Sequence, residues 1–252
     1  MKLTILRESE PHPCGYLPDR LAVHQESLAI DLNAAEYRQL VDYGFRRFGR
    51  GLFRPRCPSC QKCIPIRIPV RDFCPSRSQK RNFTQNSHCL ELRIETVSDA
   101  GDQKELLANL HQKFHLMQTG GKGWPAQSDL DSARFVETMV EQPFPVEVWH
   151  YWYKGEVVAS GYVDALPDGL SAIYFLYDPK VRSLGPGIFN VLSLIREARS
   201  RGLEFLFLGF WVPGSVSMAY KATFSPAEIL SSRGHWIPLD TKKRVDPFPP
   251  HS

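Results

Sequence analysis

Between Leu170 and Phe210 the chain reads strand, glycine-bearing loop, helix, strand. LSAIYFLY is an apolar run of strand length and VRSLGPG breaks it. Ile188, Val191, Leu192 and Ile195 then recur at helical spacing, and after Gly202 LEFLFLGF is a second, buried strand. Two strands joined through a helix pair in parallel. This unit constrains the fold most: the sheet must contain a parallel pair with a helix on its face, which makes the chain an α/β protein. The preceding segment behaves differently. EVWHYWYKGEVVASGYVDAL turns at Lys154-Gly155, and Pro167-Asp168-Gly169 turns again into LSAIYFLY. Neighbouring strands with tight turns form an antiparallel meander, so the sheet is expected to be mixed.

Upstream, Asn33-Ala-Ala-Glu36 has capping-box spacing. Tyr37, Leu40, Val41 and Gly44 continue it as an amphipathic helix of about three turns. IPIRIPV (64–70) alternates apolar residues with Arg or Pro, the pattern of an edge strand. HCLELRIETV (88–97) reads as a strand with Leu90, Leu92 and Ile94 on one face. A new unit begins near Asp99–Asp102: Leu106, Leu107, Leu110, Phe114 and Met117 have helical spacing. A Gly-rich loop follows (119–129), then a short helix with Phe135, Val136, Met139 and Val140 that ends before Pro143. Pro11, Pro13 and Pro18 make residues 1–30 irregular. The expected organisation is a Cys- and Arg-rich α+β region (1–98), a catalytic domain (99–240) and a frayed tail (241–252).

Of the 252 residues 42% are hydrophobic and 12% aromatic, a composition that folds. No apolar run approaches the ~18 residues that span a bilayer, and the N-terminus has no secretory h-region. The expected location is the cytoplasm, without a membrane partner.

Charge is segregated. From Arg46 to Arg81 eleven Lys and Arg side chains face a single acid, Asp72, while the whole chain carries only +4. Such a segment calls for an anionic partner. It also holds Cys57, Cys60 and Cys63 within seven residues, a spacing better suited to thiolate ligands than to a disulfide framework. Two readings stay open. One is a structural zinc or iron–sulfur cluster with Cys14 as fourth ligand and Cys74 or Cys89 as substitutes; the other is a set of reduced, partly buried thiols.

Arg182-Ser-Leu-Gly185-Pro-Gly187 sits at the strand-to-helix junction. Glycines there let backbone N–H groups approach a phosphate, which the helix dipole favours. The pattern resembles the pyrophosphate loop of the acyl-CoA-dependent N-acetyltransferase superfamily, and the meander before it matches that superfamily's order. Plain turn chemistry is the alternative.

A longer resemblance covers about residues 14–236. CGYLPD, GFRRFGRGLFRPRCPSCQKCIPIRIPV, RSQKRN, VVASGYVDALPDGLSAIYFLYDP and LGPGIFNVLSLIREARSRGLEFLFLGFWVPGSVSMAYKATFSPAEIL together resemble the aminoacyl-tRNA–protein transferase family. Within it, the chain is similar to the bacterial leucyltransferase branch, which moves leucine from leucyl-tRNA onto N-terminal Asp or Glu and so marks proteins for degradation. Leu17 stands where the larger eukaryotic arginyltransferase branch has a second cysteine. The resemblance implies an acetyltransferase-like (GNAT) mixed sheet with flanking helices, and needs no cofactor for the reaction.

The same resemblance implies roles. Arg46, Arg47 and Arg77 fall in matched motifs and would bind the acceptor N-terminus, because a carboxylate needs a guanidinium clamp. Lys80, Arg81, Arg182, Gly185, Gly187 and Tyr220 would bind the tRNA-borne donor, whose phosphates need cations. Asp164 matches a family aspartate and is the candidate polar catalytic or amine-orienting group, with turn capping as its alternative. Tyr177 lies where the acyl donor's strand runs. Lys221, in MAYKATF, could hold a terminal phosphate or the acceptor carboxylate.

The run Trp149, Tyr151, Trp152 and Tyr153 reads as a strand, half core and half exposed, with stacking of a terminal adenine as a second use. His111, His115 and His150 are structural. Three rivals remain: the same enzyme with arginyl-tRNA, an acyl-CoA-dependent acetyltransferase, and a non-enzymatic RNA-binding or zinc module. The oligomeric state is not legible.

Overall fold

The structure, a computed structural model, describes residues 1–97, 104–122 and 129–240. The chain opens with β1 (Lys2–Leu3), β2 (Arg7–Glu8), β3 (His12–Pro13), β4 (Leu21–Ala22) and β5 (His24–Asp31). There follow α1 (Ala34–Asp42), β6 (Arg46–Phe48), β7 (Gly51–Pro55), β8 (Ile64–Pro69), α2 (Arg77–Cys89) and β9 (Glu91–Thr96). Next come α3 (Lys104–Lys122), α4 (Asp129–Val140), β10 (Glu147–Tyr153), β11 (Glu156–Leu166) and β12 (Gly169–Tyr177). A 3-10 turn (Pro179–Leu184) leads into α5 (Pro186–Ser200) and β13 (Phe205–Trp211). A second 3-10 turn (Ala219–Thr223), β14 (Glu228–Leu230) and β15 (Trp236–Pro238) complete it.

Eight strands form one sheet in the order β15-β14-β8-β13-β12-β11-β10-β9. All neighbours are antiparallel except β12 and β13, the two strands that flank α5. The expected α/β class, the meander and the parallel pair are all present. A smaller sheet has the order β1-β5-β7-β6, with β2 also pairing β5.

The large sheet is covered on both faces. Alternate residues of its strands, such as Ile66, Ile68, Leu170 and Leu206, pack with Leu194 and Ile195 of α5. On the opposite face Val148, Tyr162 and Leu176 meet Leu107 of α3 and Val136 and Met139 of α4. Beside them Phe207 joins Tyr37 and Val41 of α1 and Leu52 of β7. Double coverage is why the aromatic strand is not half exposed: Trp149, His150 and Tyr151 are all buried, and Trp152 lies under the Arg93 guanidinium. Only Trp152 and Tyr153 of the aromatic run keep partial exposure, with Lys154 over the Tyr153 ring. Among the described residues no helix is long and apolar enough to cross a membrane.

Several expectations change. Residues 64–69 form an interior strand, not an edge: β8 pairs β13 on one side and β14 on the other. Its prolines are tolerated because β14 spans only Ile66 and Arg67, leaving Pro65 and Pro69 outside that ladder. The edges of this sheet are β15 and β9, with Ile94 of β9 38% exposed. The pattern of β9 starts later than expected because α2 runs to Cys89. Helix α2 went unpredicted although Ser76 and Gln79 form a capping box, Ser76 Oγ accepting from Gln79 N and Gln79 Oε1 from Ser76 N. Helix α3 continues through Thr119 to Lys122, where a loop was expected; residues 123–128 of that loop lie outside the described residues, as do the supposed unit start at 99–102 and the tail 241–252. The expected division at residue 98 falls between β9 and α3, and strands from both sides of it share the large sheet. The capping box of α1 forms as read, with Asn33 Oδ1 accepting from Glu36 N at 2.9 Å.

Candidate active site

Strands β12 and β13 pair only over Gly169–Ser171 and Phe205–Phe207. Both then continue, to Tyr177 and Trp211, without pairing each other. Gly209 adopts φ +74°, and the register of β13 against β8 shifts between Phe207 and Phe210. β12 has its own shift against β11, opposite Tyr162 and Val163. Bulges bend strands, and here they bend two neighbours apart. The result is a cleft inside the sheet. Ala172, Ile173, Tyr174, Phe175 and Tyr177 are partly exposed although β12 is an interior strand.

Two cations line the parting. Arg46, on β6 and 6% exposed, donates from Nη2 to Ser171 Oγ (3.2 Å) and to the Ala172 carbonyl (3.0 Å) of β12. Its guanidinium also reaches β13: a Cβ on Gly209 would stand 3.6 Å from Arg46 Nε. Lys221 Nζ donates to the Leu208 (2.7 Å) and Phe210 (2.8 Å) carbonyls of β13. Each strand's carbonyls are thus capped by a buried cation where the ladder stops. Neither cation has an ion-pair partner among the described residues. Burial and the nearby Arg46 charge bring the Lys221 ammonium down to about 7, with Cys63 opposing. An uncompensated pair of buried cations is a site for an anion.

Arg47 and Asp164 do not join them. Arg47 Nε donates to Asp164 Oδ2 at 3.2 Å and Nη2 to Oδ1. Nη1 donates to the Gly49 carbonyl at 2.7 Å and to Gln142 Oε1. The guanidinium stacks on Phe144, 4.6 Å from its centroid. Asp164 has no exposed surface; burial pushes its carboxyl up and the Arg47 charge pulls it back. Both residues are therefore reassigned from substrate contact to an internal strut joining β6 to β11. Gly44, at φ +79°, turns the chain between α1 and the Arg46–Arg47 pair on β6.

The basic segment divides in the same way. Arg50 donates to the Ala29 (3.0 Å) and Ile30 (2.6 Å) carbonyls, Arg54 to the Tyr43 carbonyl (3.0 Å), and Arg67 pairs with Glu228 (2.7 Å). These arginines hold the fold. Arg77, Lys80 and Arg81 are exposed on α2, a helix without a single acid. Arg77 thus belongs with Lys80 and Arg81, not with Arg46.

Helix α2 is fastened to the glycine corner. Asn82 Nδ2 donates to the Leu184 carbonyl at 2.8 Å and the Gly185 carbonyl at 3.3 Å, and Asn86 Nδ2 donates to Leu184 at 2.8 Å. Gly185 has φ +63°, and a Cβ there would lie 2.9 Å from Asn82 Nδ2. Around Gly187 a Cβ would meet nothing within 4 Å, so the N-terminus of α5 is open to approach. Arg182 is exposed beside it. This corner follows the C-terminal end of β12, the end at which the cleft opens.

Tyr177 stands on the cleft edge of β12, half buried, its phenol pushed up by burial. Tyr220 is exposed next to Lys221, its ring edge-on to Phe224 at 6.3 Å. His111 is bonded to Ser132 (3.0 Å) and His150 to Ser160 (2.8 Å), both buried. Sequence reading missed Ser171, Asn82, Asn86 and the special role of Gly209. A glycine inside an apolar strand run was the available signal for the last.

Cys14, Cys57, Cys60 and Cys63 line one cavity of about 360 Å³, none of them in a disulfide. Burial and the neighbouring thiols push Cys63 up to about 12. Among the described residues no three His, Cys, Asp or Glu side chains converge at metal-ligating spacing. The four thiols share the cavity, and Cys63 lies near enough to Cys14, Cys57 and Cys60 to feel their charge.

The family described as arginine-tRNA-protein transferase matches the chain twice, its N terminus over residues 12–81 and its C terminus over 103–231. The chain is similar to the aspartate/glutamate leucyltransferase of Chromobacterium violaceum, with 33% identity over 227 residues covering 90% of both proteins. It is similar to that of Pseudomonas fluorescens, 33% identical over 237 residues, 92% of this chain and 95% of the other. Among solved structures, the crystal structure of FemX aligns with 79% of this chain and 67% of its own at a TM-score of 0.47 and 8% identity.

Proposed function

The chain belongs to the arginine-tRNA–protein transferase family, and from that premise we propose that it moves leucine from leucyl-tRNA to the N-terminal amine of proteins that begin with Asp or Glu, in the cytoplasm, creating a degradation signal. The observation that carries this reading is the pair Arg46 and Lys221: two buried cations without a carboxylate partner among the described residues, at the foot of a cleft inside the sheet. Nε and Nη1 of Arg46 have no hydrogen-bond partner among the described residues. Each of these two N–H groups can donate to an acidic side chain.

The donor enters at the other end. Its terminal phosphates meet the open α5 N-terminus at Gly187 and the exposed Arg182, while Arg77, Lys80 and Arg81 neutralise the strand beyond. The ester carbonyl then lies along the cleft, and the acceptor amine attacks it in the neutral form. The new C–N bond forms, the ester C–O bond breaks, and the amine's proton ends on the ribose oxygen that leaves. Holding two substrates together supplies much of the acceleration, because aminolysis of an activated ester needs little else.

The test is a single-turnover assay with labelled leucyl-tRNA and an Asp-starting peptide, run beside arginyl-tRNA and an Asn-starting peptide. Leucyl transfer to the Asp peptide alone supports the reading. Arginyl transfer in its place, or no transfer to either peptide, overturns it.

A further inference from the structure

We infer that the acceptor enters the cleft as an added strand, its main chain hydrogen-bonded to the open edge of β12 from Ala172 to Tyr177. This rests on the reading of an acidic protein N-terminus as acceptor and extends it from the charged group to the peptide backbone.

The two walls of the cleft differ. On the β13 side the Leu208 and Phe210 carbonyls are taken by Lys221. On the β12 side Arg46 takes only the Ala172 carbonyl. Beyond it, among the described residues, no strand pairs with the edge of β12 that faces β13. The other edge is engaged from Tyr174 to Tyr177, which pair with Ala159–Tyr162 of β11. An interior strand with one edge paired and the other partly exposed is a fixed, pre-twisted template for an extended chain.

Charge complementarity selects the occupant and its direction. An acidic first residue is drawn to the closed end, where Arg46 and Lys221 stand. The following residues then run along β12 toward Tyr177. At about 3.4 Å per residue the edge spans roughly 17 Å, room for the first three or four acceptor residues. Of the two substrates only the peptide presents N–H and C=O groups at strand spacing; a ribose-phosphate chain does not. Recognition through the main chain also leaves the side chains after the first residue free to vary.

The test uses the full chain and peptides that start with Asp and differ only in one backbone N-methyl group, placed at residue 2, 3, 4 or 8. In a strand, alternate N–H groups face the same neighbour. Methylation should therefore raise KM about tenfold at alternate positions among residues 2–4, with kcat and donor KM unchanged and residue 8 silent. Fluorescence anisotropy with the same peptides gives the binding readout without turnover. A flat profile over residues 2–4 overturns the inference, as does equal loss at all three. An enzyme that binds the peptides with alternating sensitivity but transfers arginine instead of leucine retains the strand and loses only the donor reading. Failure to bind any acidic-start peptide removes both.

Discussion

The guanidinium of Arg47 and the carboxylate of Asp164 meet in a two-point ion pair that no solvent reaches. Removing either partner leaves the other buried and uncompensated. Arg47→Met and Asp164→Asn should each cost about 3–5 kcal/mol in urea unfolding. The double replacement Arg47→Met with Asp164→Asn should cost clearly less than the sum. Additive losses would mean the two residues act apart.

Arg46 is expected to read the acceptor's charge. Arg46→Gln should lower kcat/KM for Asp-starting peptides about 100-fold while leaving donor affinity intact. The same variant should lose its preference for Asp over Asn at the first position. A variant that keeps that preference would show that the charge is read elsewhere.

The two glycines of the corner should respond differently. Gly185→Ala faces both φ +63° and Asn82 Nδ2 at 2.9 Å, so it should lose about 1–2 kcal/mol of stability. Gly187→Ala meets no neighbour within 4 Å and should melt like the parent. Its defect should appear as weaker tRNA binding, measured by filter retention. Wild-type affinity for tRNA in Gly187→Ala would remove the corner from the donor site.

Lys221 makes stability depend on pH. Burial holds it near 7, while in the unfolded chain it keeps its proton to about 10.4. Between these values the unfolded state binds the extra proton, so stability rises with pH. The difference in unfolding free energy between wild type and Lys221→Met should therefore shift in favour of wild type from pH 7 to pH 10. A difference that stays constant over that range would mean the amine is not desolvated.

Much of this was written locally in the chain. The parallel unit around α5 followed from period and turn signals in contiguous sequence, as did the capping box at Asn33. Arg46, Lys221, Gly185 and Gly187 stood out through matched motifs. What failed depended on partners far away in sequence. Nothing near Arg47 announces that Asp164, 117 positions on, will absorb it. The arginines of the basic segment look alike as letters, and only the fold separates those that bind carbonyls, such as Arg50 and Arg54, from those left in water on α2. β8 carried the prolines of an edge strand, yet the short reach of β14 made an interior place available to it.

That place has a practical consequence for anyone who wishes to cut this enzyme. A fragment starting at residue 99 would lack β8 from the middle of its sheet and β9 from its margin, exposing the β13 flank to any passing chain. Neither piece should be soluble alone, but co-expressed halves could reassemble through the β8–β13 ladder, giving a split enzyme whose activity reports that the two pieces have met.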